Sequence, residues 1–113
     1  MRQGLLVLIL AGAFVGGLRD QSDRVLADQR LKIDALDTRI VALLNERAEV
    51  VREVGRIKKQ SGLPVNDQTR VEDVLRRIAA ANRGPLLNEH LNKIYETIVR
   101  EMTAFEAAEM ARR

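Results

Sequence analysis

The stretch RLKIDALDTRIVALLNERAEVVREVGRIK, residues 30–58, decides the fold. Apolar residues in and beside it recur at helical spacing: Leu26, Ile33, Leu36, Ile40, Leu43, Val50, Val54 and Ile57. Their steps of mainly three and four residues form a heptad-like stripe on one face of an α-helix. Ser22 or Asp23 can cap the N-terminus of this helix, and no proline occurs before Pro64. The pattern predicts one helix over about residues 22–59.

Two shorter helices are predicted after this one. Asn66 or Asp67 can cap the second helix, whose apolar face is Val71, Val74, Leu75 and Ile78. The run Asn82-Arg83-Gly84-Pro85 is a helix stop, with glycine suited to a left-handed cap position. A third apolar stripe predicts a helix over about residues 86–111. Because no segment alternates like a strand, the predicted fold class is all-α, with one long and two shorter helices.

The length of the first helix indicates a second copy of the chain. At 1.5 Å per residue it would be about 57 Å long, whereas a compact domain of this size has a radius of gyration of about 13 Å. Two shorter helices cannot cover so long an apolar stripe, so we predict an intertwined homodimeric helical bundle. Gly55 lies inside the long helix, which costs about 1 kcal/mol against alanine and is tolerated if a neighbour packs closely there.

The N-terminal segment differs from the rest of the chain. Residues 3–18 carry no charge, follow Arg2, and contain the apolar run Leu5 to Leu10 followed by Ala11-Gly12-Ala13. This segment is an export signal or membrane anchor, a consequence of a mis-assigned start codon, or an extra apolar helix. We therefore set residues 1–20 apart and assign the fold to residues 21–113. A mis-assigned start implies a cytoplasmic protein, and a signal or anchor implies export or membrane contact.

Composition argues against several classes of function. The chain has 113 residues, the length of one small domain, with no cysteine and one histidine, so a metal site is not expected. Aromatic side chains are scarce and the net charge is only +3, so nucleic-acid binding is not expected either.

Cationic residues on the helical faces point to an anionic ligand. Arg47 occupies a stripe position, where a guanidinium either reaches solvent at the helix edge or is held for a buried anion. Lys58 projects from the same face, and Arg70 follows the start of the second helix, so the three can line one cavity for a small dicarboxylate. Arg30 lies about 25 Å up the helix from Arg47, but antiparallel long helices could bring it to the partner's cavity.

At these residues the chain closely resembles the all-helical AroQ class of chorismate mutases. The resemblance covers about residues 25–108 and rests on an ordered set of motifs: Arg30-Leu31-Lys32-Ile33-Asp34-Ala35-Leu36-Asp37, Leu43-Leu44-Asn45-Glu46-Arg47-Ala48, Val54-Gly55-Arg56-Ile57-Lys58, Gly62-Leu63-Pro64-Val65-Asn66-Asp67-Gln68-Thr69-Arg70 and Asn82-Arg83-Gly84-Pro85-Leu86. It implies conversion of chorismate to prephenate, in aromatic amino-acid biosynthesis, by a Claisen rearrangement that requires no cofactor or metal.

The resemblance also implies roles for individual residues. Arg47, together with Arg30 from the partner chain, would bind the two carboxylates of chorismate. Lys58 would donate to the ether oxygen as the C–O bond breaks. Asp67 would lie near the ring hydroxyl, and Arg70 would support the cavity electrostatically.

The resemblance places a second donor to the ether oxygen on the third helix, where this chain has Glu106. An apolar setting favours the protonated form of a carboxyl group, which can donate as glutamine does. The alternative interpretation of Glu106 is a solvated acid on the helix surface.

Two residues depart from the family pattern. Val71 stands where the family usually has an acid for the ring hydroxyl, and Met102 stands where a small or polar residue is common. We expect weaker substrate binding, because a lost hydrogen bond of this kind costs about 1–3 kcal/mol.

Two other functions fit the same residues. One is an isochorismate pyruvate-lyase on the same fold, and the other is a weakly active helical dimer that regulates an enzyme of the shikimate pathway.

Overall fold

The computed structural model describes the backbone of residues 2–113 and the side chains of residues 17–113. Three helices make up the described chain: α1, Arg2–Ser61; α2, Gln68–Ala81; and α3, Asn88–Ala111. No strand occurs in the part of the chain that the structure describes. The prediction of an all-α chain with one long and two shorter helices is confirmed.

Contacts group the chain into two units. The first unit extends to Leu43; from Arg2 onward it lies within the long helix, and its described side chains, those of residues 17–43, are solvent-exposed. The second, Leu44–Arg113, contains the end of α1 and all of α2 and α3. Helices α2 and α3 pack against each other.

The predicted start of α1 near residue 22 was wrong, because the helix begins at Arg2 and runs through Ser22 and Asp23. Polar side chains such as these can face solvent in the middle of a helix, and no proline stands there to end it. The three interpretations of the apolar N-terminal segment concern mainly residues 1–16, whose side chains lie outside those that the structure describes. In the part of the chain that the structure describes, no helix contains an apolar stretch of the length that a membrane span requires.

Local signals fix both ends of α2. The Asp67 side chain accepts a hydrogen bond from the backbone N–H of Arg70 at 3.0 Å, as predicted for an N-cap. After the helix, the Asn82 side chain accepts from the backbone N–H of Gly84 and donates to the carbonyl of Leu86. Gly84 has a φ of 72°, the left-handed conformation predicted for the helix stop.

Helices α1 and α3 meet at Gly55, which satisfies the condition under which a glycine is tolerated inside the long helix. A Cβ atom on Gly55 would lie 3.2 Å from Cγ of Glu106 and 3.2 Å from Cγ of Met110. Contacts this short are tighter than usual, so a side chain at position 55 would force its neighbours to shift by a few tenths of an ångström. Glycine lets the two helices come this close without such a shift.

The apolar stripe is uncovered in the single chain. No hydrophobic side chain among residues 17–113 is buried, and Leu31, Leu36 and Leu43 are 66%, 51% and 61% exposed. Burial of apolar surface is the main driving force of folding, and an exposed apolar stripe of this kind is typical of a surface that binds another protein.

Candidate active site

A cavity of about 250 Å³ lies in the second unit. Residues of α1, of the loop and helix α2, and of α3 line it: Arg47, Val50, Val51, Val54, Lys58, Val65, Asp67, Arg70, Val71, Val74, Val99, Met102, Thr103 and Glu106. All the site residues predicted from the sequence within this unit are among them. The cavity therefore combines charged groups with a largely valine-lined wall.

Lys58 and Glu106 form an ion pair at the wall of this cavity. Lys58 Nζ lies 2.6 Å from Glu106 Oε1, and it also donates a hydrogen bond to the backbone carbonyl of Val65 at 2.9 Å. Glu106 is only 7% exposed, which excludes the alternative of a solvated acid on the helix surface. The Lys58–Glu106 contact is short but lacks the geometry of a hydrogen bond, so its strength is electrostatic.

Arg47 lines the cavity beside the valines of α1 and is partly buried. Within the described part of the chain no carboxylate forms an ion pair with it. A partly buried guanidinium without a protein counterion is suited to an anionic ligand, since it offers several N–H donors in a planar fork.

Arg70 is held at the cavity by α2 itself. Its guanidinium donates to Asp73 Oδ2 at 2.9 Å, and Arg77 donates to the same oxygen at 3.0 Å. Desolvation raises the pKa of Asp73, but the charges and hydrogen bonds of Arg77 and Arg70 outweigh it, so that pKa lies below its ordinary value of 3.8. Asp73 thus limits the positions that the Arg70 side chain can take.

Replacing Asp73 by asparagine is expected to lower the free energy of unfolding at neutral pH. Because the folded-state pKa is depressed, the stabilisation is complete above the unfolded value of 3.8 and is lost as pH falls through the lower folded value. Urea denaturation at about pH 7 and about pH 2 should show a difference between variant and parent only at the higher pH. Glu72→Gln, which removes a neighbouring exposed acid, is the matched control.

Val71 and Met102, the two residues that depart from the family pattern, both line the cavity. Each places an apolar side chain where a small or polar one was expected. Arg30 lies in the first unit, on an exposed part of α1.

Sequence reasoning missed Thr103 and Val65 as lining residues. Thr103 follows Val99 by four residues on the cavity-facing side of α3, so helical spacing could have found it. Val65 accepts a hydrogen bond from Lys58 through its backbone carbonyl. The type of side chain at a position does not indicate where the carbonyl of that residue points.

The family model of chorismate mutase type II matches residues 29–107, most of the chain. The chain belongs to the chorismate mutase type II family. It is 32% identical over 82 residues to the chorismate mutase of Methanocaldococcus jannaschii, an alignment that covers 72% of this chain and 83% of that protein. A solved chorismate mutase from Thermus thermophilus superposes with a TM-score of 0.71 at 32% identity, covering 73% of this chain and 93% of the other.

Several relatives within the family are larger proteins. The bifunctional chorismate mutase/prephenate dehydratase of Escherichia coli is 34% identical over 88 residues, which are 77% of this chain but 23% of that protein. The chain thus spans about a quarter of the length of these bifunctional chorismate mutase relatives.

Proposed function

We propose that this chain is a chorismate mutase, an isomerase that converts chorismate to prephenate in the synthesis of phenylalanine and tyrosine. The observation that carries the proposal is the pairing of Lys58 with the buried Glu106 at 2.6 Å in a cavity that Arg47 and Arg70 also line. The reaction breaks the C–O bond of the enolpyruvyl ether and forms a C–C bond within one molecule. It therefore needs restraint of the substrate and stabilisation of charge, both of which positioned cations supply.

Each cationic residue has a separate task in this proposal. Arg47 binds one carboxylate of chorismate, and Arg30 of a second copy binds the other. Lys58 donates to the ether oxygen, where negative charge develops as the bond breaks. Arg70 adds positive potential beside the ring, and Asp67 lies near the ring hydroxyl. The activity is assigned to residues 21–113.

A homodimer is part of the proposal. The stripe of α1 is exposed over both units, with Leu31 at 66% and Val50 at 64%, and no described side chain of apolar type is buried. A second copy supplies the complementary stripe, because the same apolar face occurs on each chain. In this dimer, Arg30 on the long helix of one chain reaches the cavity of the other chain.

The test of the proposed function is an assay of the full-length chain with chorismate and isochorismate side by side. We expect loss of chorismate with stoichiometric formation of prephenate, and no release of pyruvate. Release of pyruvate from isochorismate would support the lyase instead. The absence of turnover with both substrates would support a regulatory dimer.

Replacing Glu106 by alanine is expected to lower kcat for chorismate, whereas Glu106→Gln should retain it. In the proposed mechanism the group at this position donates a hydrogen bond to the ether oxygen, and a glutamine amide can do so within nearly the same volume. The measurement is kcat at saturating chorismate, at one pH at which the parent and both variants are folded.

Equal losses of kcat in Glu106→Ala and Glu106→Gln would contradict a donor role at this position.

A further inference from the structure

Gly55 and Glu106 are the only buried residues among those whose side chains the structure describes, and they contact each other. A Cβ atom at Gly55 would lie 3.2 Å from Glu106 Cγ and 3.7 Å from the Glu106 backbone oxygen. Glu106 thus crosses directly over the backbone of α1. The backbone conformation of Gly55 is not left-handed, so its lack of a side chain matters for space.

The contact between Gly55 and Glu106 lies one helical turn from Lys58. Residues 55 and 58 are three apart on α1 and therefore lie on one face, about one turn from each other. The Glu106 side chain passes over Gly55 and brings its carboxylate to 2.6 Å from Lys58 Nζ. Val65 holds the ammonium group from the other side through its carbonyl, at 2.9 Å. The two groups meet because nothing at position 55 displaces Glu106.

We propose that Gly55 is a positioning residue for the reaction, which places the carboxyl group of Glu106 beside Lys58 so that both address one substrate atom. The inference rests on the proposed function and deepens it. A methyl group at position 55 pushes Glu106 Cγ away from α1 by a few tenths of an ångström, which moves its carboxyl group relative to the ether oxygen. Small misplacements of this kind reduce catalysis more than binding, since the contact matters most in the transition state.

Gly55→Ala tests the proposal. We expect kcat for chorismate to fall roughly tenfold or more, with KM within about twofold of the parent and unchanged helix content by circular dichroism. The matched control is Gly17→Ala, which also adds a methyl group to α1 but has open space around it. Its kcat and KM should equal those of the parent. An unchanged kcat in Gly55→Ala would overturn the proposal.

A second comparison separates positioning from general packing. In a Glu106→Ala background the carboxyl group is gone, so adding Gly55→Ala should lower kcat no further. The new methyl group still meets Met110 in that background, 3.2 Å from its Cγ, so an effect that is only structural would persist. The same fold loss in both backgrounds would therefore overturn the proposal.

A further variant guards against poor folding of Gly55→Ala. Combining it with Met110→Ala removes one of the two crowded contacts but keeps the one with Glu106. The loss of kcat should remain in this double variant, and its recovery would overturn the proposal. If the parent chain has no mutase activity, both the proposed function and this inference are wrong. If the parent is active and Gly55→Ala has the same kcat, only this inference is wrong.

Discussion

Replacing Lys58 by alanine is expected to lower kcat for chorismate by a factor of about 100 to 1,000, because removal of one preorganised donor to a developing oxyanion has this effect. Lys58 is mostly buried at the cavity wall and fixed by the Val65 carbonyl, so its ammonium group needs little reorganisation to address the ether oxygen. The measurement is the rate of prephenate formation at saturating chorismate. The effect should be mainly on kcat, since the charge on the ether oxygen arises only in the transition state.

The loss of the Lys58 charge has a structural consequence that must be separated from the catalytic one. Glu106 would remain buried without its counterion, and an uncompensated buried charge is strongly destabilising. The double variant Lys58→Ala/Glu106→Gln removes this charge, so it should recover thermal stability without recovering kcat. Lys59→Ala is the matched control, because it deletes the same charge from an exposed neighbouring position. A kcat near the parent value in Lys58→Ala would contradict the role of this residue.

Local chemistry made much of the second unit predictable. Asp67 caps α2 and Gly84 takes the left-handed conformation, because each residue type suits its position whatever surrounds it. The start of α1 was not predictable in this way. Ser22 is a good N-cap residue, but such a residue begins a helix only where the preceding chain leaves the helical conformation.

The cavity was predictable to the extent that helix periodicity determines it. Arg47 and Lys58 share one face of α1, and the structure brings them to one cavity with Glu106 of α3. The distance between Lys58 and Glu106 was not predictable, since it depends on the packing of two helices at Gly55. Likewise, no periodicity within a single chain can determine which residues a second copy supplies.

Heterodimers of Arg30→Ala and Arg47→Ala are expected to have about half the activity of the parent dimer, although each variant alone is nearly inactive. With Arg30 supplied by the partner, such a heterodimer has one complete site and one site that lacks both arginines. Each homodimer has two sites that lack one carboxylate-binding group, which removes bidentate contacts to a charged ligand. The measurement is kcat/KM for chorismate after co-expression with two affinity tags and isolation of the doubly tagged species.

Pairing Arg47→Ala with Lys58→Ala gives the matched control. Both residues line the cavity of their own chain, so every site in that heterodimer lacks one of them and activity should not recover. If Arg30 served its own chain instead, the Arg30→Ala/Arg47→Ala heterodimer would have no complete site and would stay as inactive as this control. Recovery in the first pair alone therefore establishes both the dimer and the contribution of Arg30 across it. A monomeric parent in sedimentation analysis would contradict both, and would leave the exposed stripe of α1 to a different partner.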